Sequence, residues 1–171
     1  NEKVFTAQIY EPPLQYHYLK RPYQLQPATV EAVPKPRYLD LKGSLLPDDV
    51  SADRVAFSEY ILDVRPGIRY QPHPAFAEQP PEVRESLEGI DVLKDFPAWG
   101  TRELTAADYV YEIKRLAHPR LHSPIFGLMS EYIVGLSALS KELQAWEVAH
   151  RGEWLDLRNF PLEGAEAIDT H

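Results

Sequence analysis

Proline is the residue that most limits how this chain can fold. The sequence contains 16 prolines and 8 glycines, and the prolines are concentrated in the first half and at the borders of periodic segments. Proline fixes φ and removes a backbone donor, so it ends helices and is kept out of central strands. We therefore predict long ordered loops around a modest core. Between residues 14 and 36 we expect short strands or edge pieces and no helix.

Composition excludes several classes of protein. The net charge of -8 argues against a nucleic-acid surface, because phosphate binding requires clustered Lys and Arg. The absence of cysteine removes disulfides, zinc-thiolate sites and thiol nucleophiles. No apolar run reaches the roughly 20 residues of a membrane helix, so no membrane insertion of this chain is expected. The length is that of one domain, predicted over residues 1–171.

Alternating apolar residues predict one clear strand, over residues 55–65. Pro66 and Gly67 then occupy the central positions of a type II turn, in which proline presets a negative φ and glycine accepts a positive one. The alternation resumes over residues 68–70. We therefore predict a β-hairpin that turns at these two residues.

The strongest helix signal begins at Thr105. The sequence T-A-A-D has the form of a capping box, in which the carboxylate of Asp108 returns to the Thr105 amide. Apolar residues follow at helical spacing until Pro119 closes the segment. Tyr109 belongs to this apolar stripe and is predicted to lie in the core, whereas Tyr111 faces elsewhere and is free to meet another surface.

Further helices are predicted over residues 4–11, 123–132 and 137–150, with Gly152 just past the end of the last one. The proline-rich segment 72–100 offers a single helical turn. Strands and helices do not alternate regularly along the chain. We therefore predict an α+β fold, with a small mixed or antiparallel sheet that includes a β-hairpin and packs against three to four helices.

No catalytic or metal-binding motif stands out. His118 and His122 are four residues apart, but Pro119 lies between them, so a structural or solvent-exposed role is the better interpretation. The glycines form no phosphate-binding pattern, and no serine lies in a nucleophile elbow. An acid–base pair cannot be chosen among 26 carboxylates. We expect no enzymatic activity, no cofactor and no metal site.

Tyrosines are frequent near the beginning of the chain, at Tyr10, Tyr16, Tyr18 and Tyr23. Such rings can form a stacking surface for a sugar or a peptide. Tyrosine also covers a sheet edge well, because its ring is apolar and its hydroxyl can stay in contact with water. Packing is the interpretation we favour, and the binding surface stays an alternative.

Five short motifs follow one another along nearly the whole chain. They are residues 8–11 (Q-I-Y-E), 21–28 (R-P-Y-Q-L-Q-P-A), 64–70 (V-R-P-G-I-R-Y), 104–119 (L-T-A-A-D-Y-V-Y and K-R-L-A-H-P) and 163–169 (E-G-A-E-A-I-D). Each motif is weak alone. In this order they resemble the extracellular solute-binding proteins of the family 5 type, which serve ABC importers of peptides, dipeptides and nickel.

The resemblance implies part of a transport receptor. In the family, strands on either side of this region build the lobe that grips the ligand, and the region itself is a peripheral domain inserted into the first lobe. The parent would capture a peptide or similar solute by closing two lobes. The expected partners are the remaining lobes of the receptor, the solute and the ABC permease. The expected location is the periplasm, or the cell surface for a lipoprotein, with the export signal outside this sequence.

Two segments depart from the family pattern and are interpreted as insertions, residues 72–100 and 137–162. The first replaces the family's H-D-G turn. In the family, an aromatic residue of the helix after the T-A-x-D motif can approach the solute, and the matching position here is Tyr111, the one ligand-proximal candidate. An alternative function stays open, an independent protein-interaction module with a Tyr- and Pro-rich surface.

Overall fold

The computed structural model describes residues 10–171. The chain divides into two compact units, residues 1–68 and residues 69–171, which are described in turn. The helix predicted over residues 4–11 falls almost wholly outside the described residues. Whether the two units behave as the one predicted domain stays a prediction.

The first unit contains two antiparallel sheets of two strands each. Strand β1 (Leu14–Tyr16) pairs with β2 (Leu25–Pro27), and β3 (Arg37–Leu39) pairs with β4 (Phe57–Glu59). Each of these strands has three residues. The expectation of short strands between residues 14 and 36 is confirmed for β1 and β2. Pro13 directly precedes β1, and Pro27 is the last residue of β2.

The hairpin predicted across the Pro66–Gly67 turn is wrong. The turn itself forms, because Gly67 has a φ of 82°. The residues before it pair elsewhere, however: β4 pairs with β3, and Val64 forms an isolated bridge with Val30. Hydrogen bonds on either side of that bridge complete the pairing, from Glu31 N to Asp63 O at 2.9 Å and from Arg65 N to Thr29 O at 2.9 Å. Alternation shows which residues can form a strand but does not choose their partner.

The regular secondary structure of the second unit is helical, with no named strand among its described residues. Its helices are α1 (Pro81–Glu85), α2 (Ala106–Arg115), α3 (Phe126–Tyr132) and α4 (Leu136–Ala149). The three long helical segments predicted after residue 100 are therefore confirmed, with ends that differ by a few residues. None of the helices in the described part of the chain is long and apolar enough to cross a membrane. Together with the sheets of the first unit, these helices give the predicted α+β fold.

The hydrophobic core of the second unit is built around α4. Its seven buried residues are Ala117, Leu136, Leu139, Leu143, Leu155, Leu157 and Leu162. Five of them, the last five named, lie within residues 137–162. This segment is therefore the main source of the core and not a surface loop. Its status as an insertion relative to the family stays a prediction.

The other predicted insertion, residues 72–100, is a loop closed at its base. His73 N donates to Gly100 O at 2.8 Å, and Gly100 N donates to His73 O at 3.3 Å. A β-carbon at Gly100 would lie 2.2 Å from Phe76 O, so only glycine fits at this closure. Inside the loop, the amide of Gln79 donates to two backbone carbonyls. The single helical turn predicted here is confirmed as α1.

Candidate functional site

An open groove of about 600 Å³ lies between α2 and the chain that follows the short 3-10 turn Leu157–Asn159. Its apolar lining comes from small and aliphatic residues together with one tyrosine ring. These residues are Ala107, Val110, Tyr111, Pro161, Leu162, Ala165 and Ala167. Four charged residues also line it, namely Lys114, Arg158, Glu163 and Glu166.

The first wall of the groove is fixed by the N-terminus of α2, where the predicted capping box is confirmed. Asp108 Oδ2 accepts a hydrogen bond from the Thr105 amide at 2.9 Å and another from the Thr105 hydroxyl at 3.1 Å. Arg102 donates to both carboxylate oxygens of Asp108, at 2.8 and 2.5 Å. The Arg102 guanidinium also lies over the rings of Tyr70 and Phe76. The start of α2 is thereby tied to the residues that precede it.

Replacing Asp108 by asparagine tests this arrangement through pH. Burial acts to raise the pKa of Asp108, but hydrogen bonds from Arg102 and Thr105 outweigh it and hold the pKa below its ordinary value of 3.8. A lowered folded-state pKa stabilises the fold above pH 3.8, and this contribution disappears as the pH falls through the folded-state value. Asp108→Asn should cost about 1 kcal/mol at pH 7, since the half-exposed Arg102 is screened by solvent.

Urea unfolding of both proteins at several pH values measures this effect. The difference in unfolding free energy should stay constant from neutral pH down to about pH 5 and shrink below pH 3.8. A difference that does not change in acid would mean that the charge of Asp108 contributes nothing.

The second wall of the groove is fixed at both of its ends. Gly164 N donates to Val134 O at 2.9 Å, and a β-carbon at Gly164 would lie 2.6 Å from that oxygen. At the other end, Ala106 N donates to Thr170 O at 3.0 Å. The E-G-A-E-A-I-D segment is therefore held against the T-A-A-D helix, although more than fifty residues separate the two motifs.

The prediction that Tyr109 packs in the core while Tyr111 is free is wrong for both residues. Tyr109 is half-buried and is not part of the hydrophobic core cluster. Tyr111 is half-buried and packs against the hydrophobic core cluster, and it also lines the groove. The apolar stripe through Ile113 and Ala117 does face the core, but the chain around Leu157 covers a second side of α2. Tyr111 lies on that second side. Its proximity to a solute stays a prediction.

The charged residues of the groove differ in how they are paired. Arg158 is held by Asp156 through three hydrogen bonds of 2.6 to 2.9 Å, and the same bonds lower the pKa of Asp156. Lys114 reaches only a backbone carbonyl, at 3.5 Å. Across residues 10–171, Lys114, Glu163 and Glu166 form no ion pair. The groove therefore offers one ammonium and two carboxylates to a ligand.

The lining combines charged groups with an apolar floor. Serine, threonine, cysteine and histidine do not occur among the residues that line the groove, so it holds no nucleophile of the kind used in acyl transfer. An ammonium and carboxylates around an aliphatic floor can instead orient a ligand that carries both charges. The groove is open on one side, so another wall is needed to enclose a ligand.

The two histidines weighed as metal ligands bond to the same turn. His118 Nδ1 accepts from Arg120 N at 3.1 Å, and His122 Nδ1 lies 3.2 Å from Arg120 O. Burial lowers the pKa of His118. The charge of Glu147 opposes this effect, and the charges of Arg120 and Arg115 add to it. Within the part of the chain that the structure describes, no three His, Cys, Asp or Glu side chains are grouped closely enough to hold a metal ion.

Sequence reasoning missed several residues of the groove. Arg158 and Asn159 fall inside the segment interpreted as an insertion, and Lys114 belongs to a motif that indicates only a helix. The local sequence D-x-R at residues 156–158 was the available signal, since an acceptor at a turn start and an arginine two residues later can pair.

Comparisons with known proteins do not add to this picture. No family model, no curated protein and no solved structure matches the chain. The resemblance to solute-binding proteins therefore rests on the sequence motifs alone.

Proposed function

We propose that this chain is a peripheral domain of a periplasmic solute-binding receptor that delivers a peptide or similar solute to an ABC importer. The observation that carries the proposal is the convergence of two motifs of the resemblance on one groove. Residues 105–108 begin the helix that forms one wall, and the first residues of the 163–169 motif, up to Ala167, contribute to the other. Two segments that form the walls of one groove can act together in binding a ligand.

The open shape of the groove supports a role within a larger receptor. Pockets for small ligands enclose most of the ligand surface, which requires convergent walls. In a two-lobed receptor, the remaining lobes would supply the missing wall and close over the solute. The partners in this proposal are those lobes, the solute and the permease. The protein acts by binding, not by catalysis.

Calorimetry against a mixed peptide library tests the proposal directly. The complete receptor is expected to bind, whereas the 171-residue chain alone is expected not to bind with useful affinity, because it supplies at most one wall. Micromolar binding by the chain alone would contradict the peripheral role. Failure of the complete protein to bind any peptide would contradict the choice of solute.

Tyr111→Ala in the complete receptor tests the ligand-proximal candidate. Because Tyr111 lines the groove, loss of its ring should weaken solute binding about tenfold. The same ring packs on the core, so some loss of stability is also expected. Calorimetry and thermal unfolding on the same samples separate the two effects.

Ile113→Ala is the matched control for that experiment. Ile113 packs on the same core cluster, but it is not part of the groove lining. It should reduce stability while leaving the affinity for the solute unchanged. Equal losses of affinity in both variants would mean that Tyr111 acts only through the fold.

A further inference from the structure

The loop that joins β1 to β2, residues 17–24, is the most exposed aromatic surface of the first unit. Tyr18 is 88% exposed and Leu19 is 78% exposed. Tyr16 and Tyr23, at the two ends of the loop, are also largely exposed. We call residues 16–23 the aromatic hairpin. It presents three tyrosines and an arginine on a two-stranded sheet, and within residues 10–68 no further strand pairs with that sheet.

The aromatic hairpin is ordered by its own contacts. His17 Nδ1 accepts hydrogen bonds from the amides of Leu19 and Lys20, at 3.2 and 3.3 Å. Arg21 donates to Lys20 O at 2.9 Å, and its guanidinium lies 4.3 Å from the centre of the Tyr23 ring. A surface that is already ordered loses little conformational entropy when it binds.

The Tyr23 ring also contacts a second aromatic ring. It meets the Tyr16 ring edge to face, with centroids 5.8 Å apart. The cation, the two rings and the backbone contacts of Arg21 therefore form one continuous unit. Arg21 and Tyr23 are held in place before any partner arrives.

The charge of this surface is opposite to that of the chain. Residues 12–30 contain Lys20 and Arg21 and no Asp or Glu, whereas the whole chain has a net charge of -8. Neither cation forms an ion pair with any residue from 10 to 171. Two uncompensated positive charges beside exposed aromatic rings select an anionic partner.

We propose that the aromatic hairpin is a docking surface for an acidic segment of a partner protein. Tyrosine and arginine are the residues that dominate binding energy at protein interfaces, and here they are adjacent and preordered. A loop that enters lipid would need a larger aliphatic apex, and this one has a single leucine at its tip. The surface belongs to the first unit and uses none of the groove residues, so it adds an interaction to the proposed solute binding.

Fluorescence polarisation with synthetic peptides of equal length and graded net charge tests this docking surface on the complete protein. Affinity should rise as the peptides become more acidic and should fall with added salt, because the cations are exposed and therefore screened. Affinity that does not depend on peptide charge would overturn the proposal. Vesicles that contain an anionic phospholipid are the second probe, and binding to vesicles without binding to acidic peptides would also overturn it.

Two variants and one control complete the test. Arg21→Glu and Tyr18→Ser should each weaken binding of the acidic peptides about tenfold. Lys42→Glu makes the same change in net charge on another exposed loop of the unit and should have little effect. Equal losses of affinity in Arg21→Glu and Lys42→Glu would mean that the peptides respond to the net charge of the protein and not to the aromatic hairpin, which would overturn the proposal. If Arg21→Glu is unstable, Tyr18→Ser still tests the proposal, because Tyr18 is 88% exposed and contributes little to packing.

Discussion

Leu143→Ala is expected to lower the free energy of unfolding by about 2 to 5 kcal/mol, the largest effect of any substitution considered for this protein. Leu143 is 0% exposed and lies in the middle of α4, within the core cluster. Truncation removes apolar contacts and leaves a cavity that the surrounding residues fill only in part. Alanine is the best helix former, so the loss cannot be assigned to helix propensity. Urea unfolding followed by circular dichroism measures the change.

Leu128→Ala is the control for the same chemical change. Leu128 lies in α3 and is 59% exposed, so its truncation should change stability by no more than about 0.5 kcal/mol. The comparison also tests the role of residues 137–162. If the two variants are equally mild, α4 is not the centre of the core.

Gly164→Ala is expected to cost about 1 to 3 kcal/mol, because the new methyl group would meet backbone and not a movable side chain. Its β-carbon would lie 2.6 Å from Val134 O and 2.7 Å from Val134 N. Relief requires a shift of the chain that lengthens the 2.9 Å hydrogen bond between Gly164 N and Val134 O. The second wall of the groove moves with it. Differential scanning calorimetry would detect this loss as a lower melting temperature.

Gly127→Ala provides the matched control. Gly127 lies inside α3, and a β-carbon there would have nothing within 4 Å. Alanine should therefore stabilise that helix by up to about 1 kcal/mol. The two glycine variants are thus expected to shift stability in opposite directions. A neutral Gly164→Ala would show that the E-G-A-E-A-I-D segment can move freely, and that the groove has no fixed second wall.

Features set by neighbouring residues could be predicted from the sequence. The T-A-A-D capping box, the positive φ of Gly67 and the three long helical segments after residue 100 were all expected, and the structure has them. Each depends on interactions across a few residues, such as the return of the Asp108 carboxylate to the Thr105 amide. The α+β class followed from the same local signals.

Features set by distant parts of the chain could not be predicted in this way. Alternation over residues 55–65 could not reveal that β4 pairs with β3 or that Val64 pairs with Val30. An alternation of apolar and polar residues predicts a strand but does not identify the strand with which it pairs. Helical spacing placed Tyr111 away from the apolar stripe, but the chain around Leu157 covers that side as well. The groove exists only because residues 163–167 return to α2. The sequence by itself therefore determined the local elements, whereas burial, strand partners and the site depended on which surfaces the fold brought together, since these contacts join residues far apart in the chain.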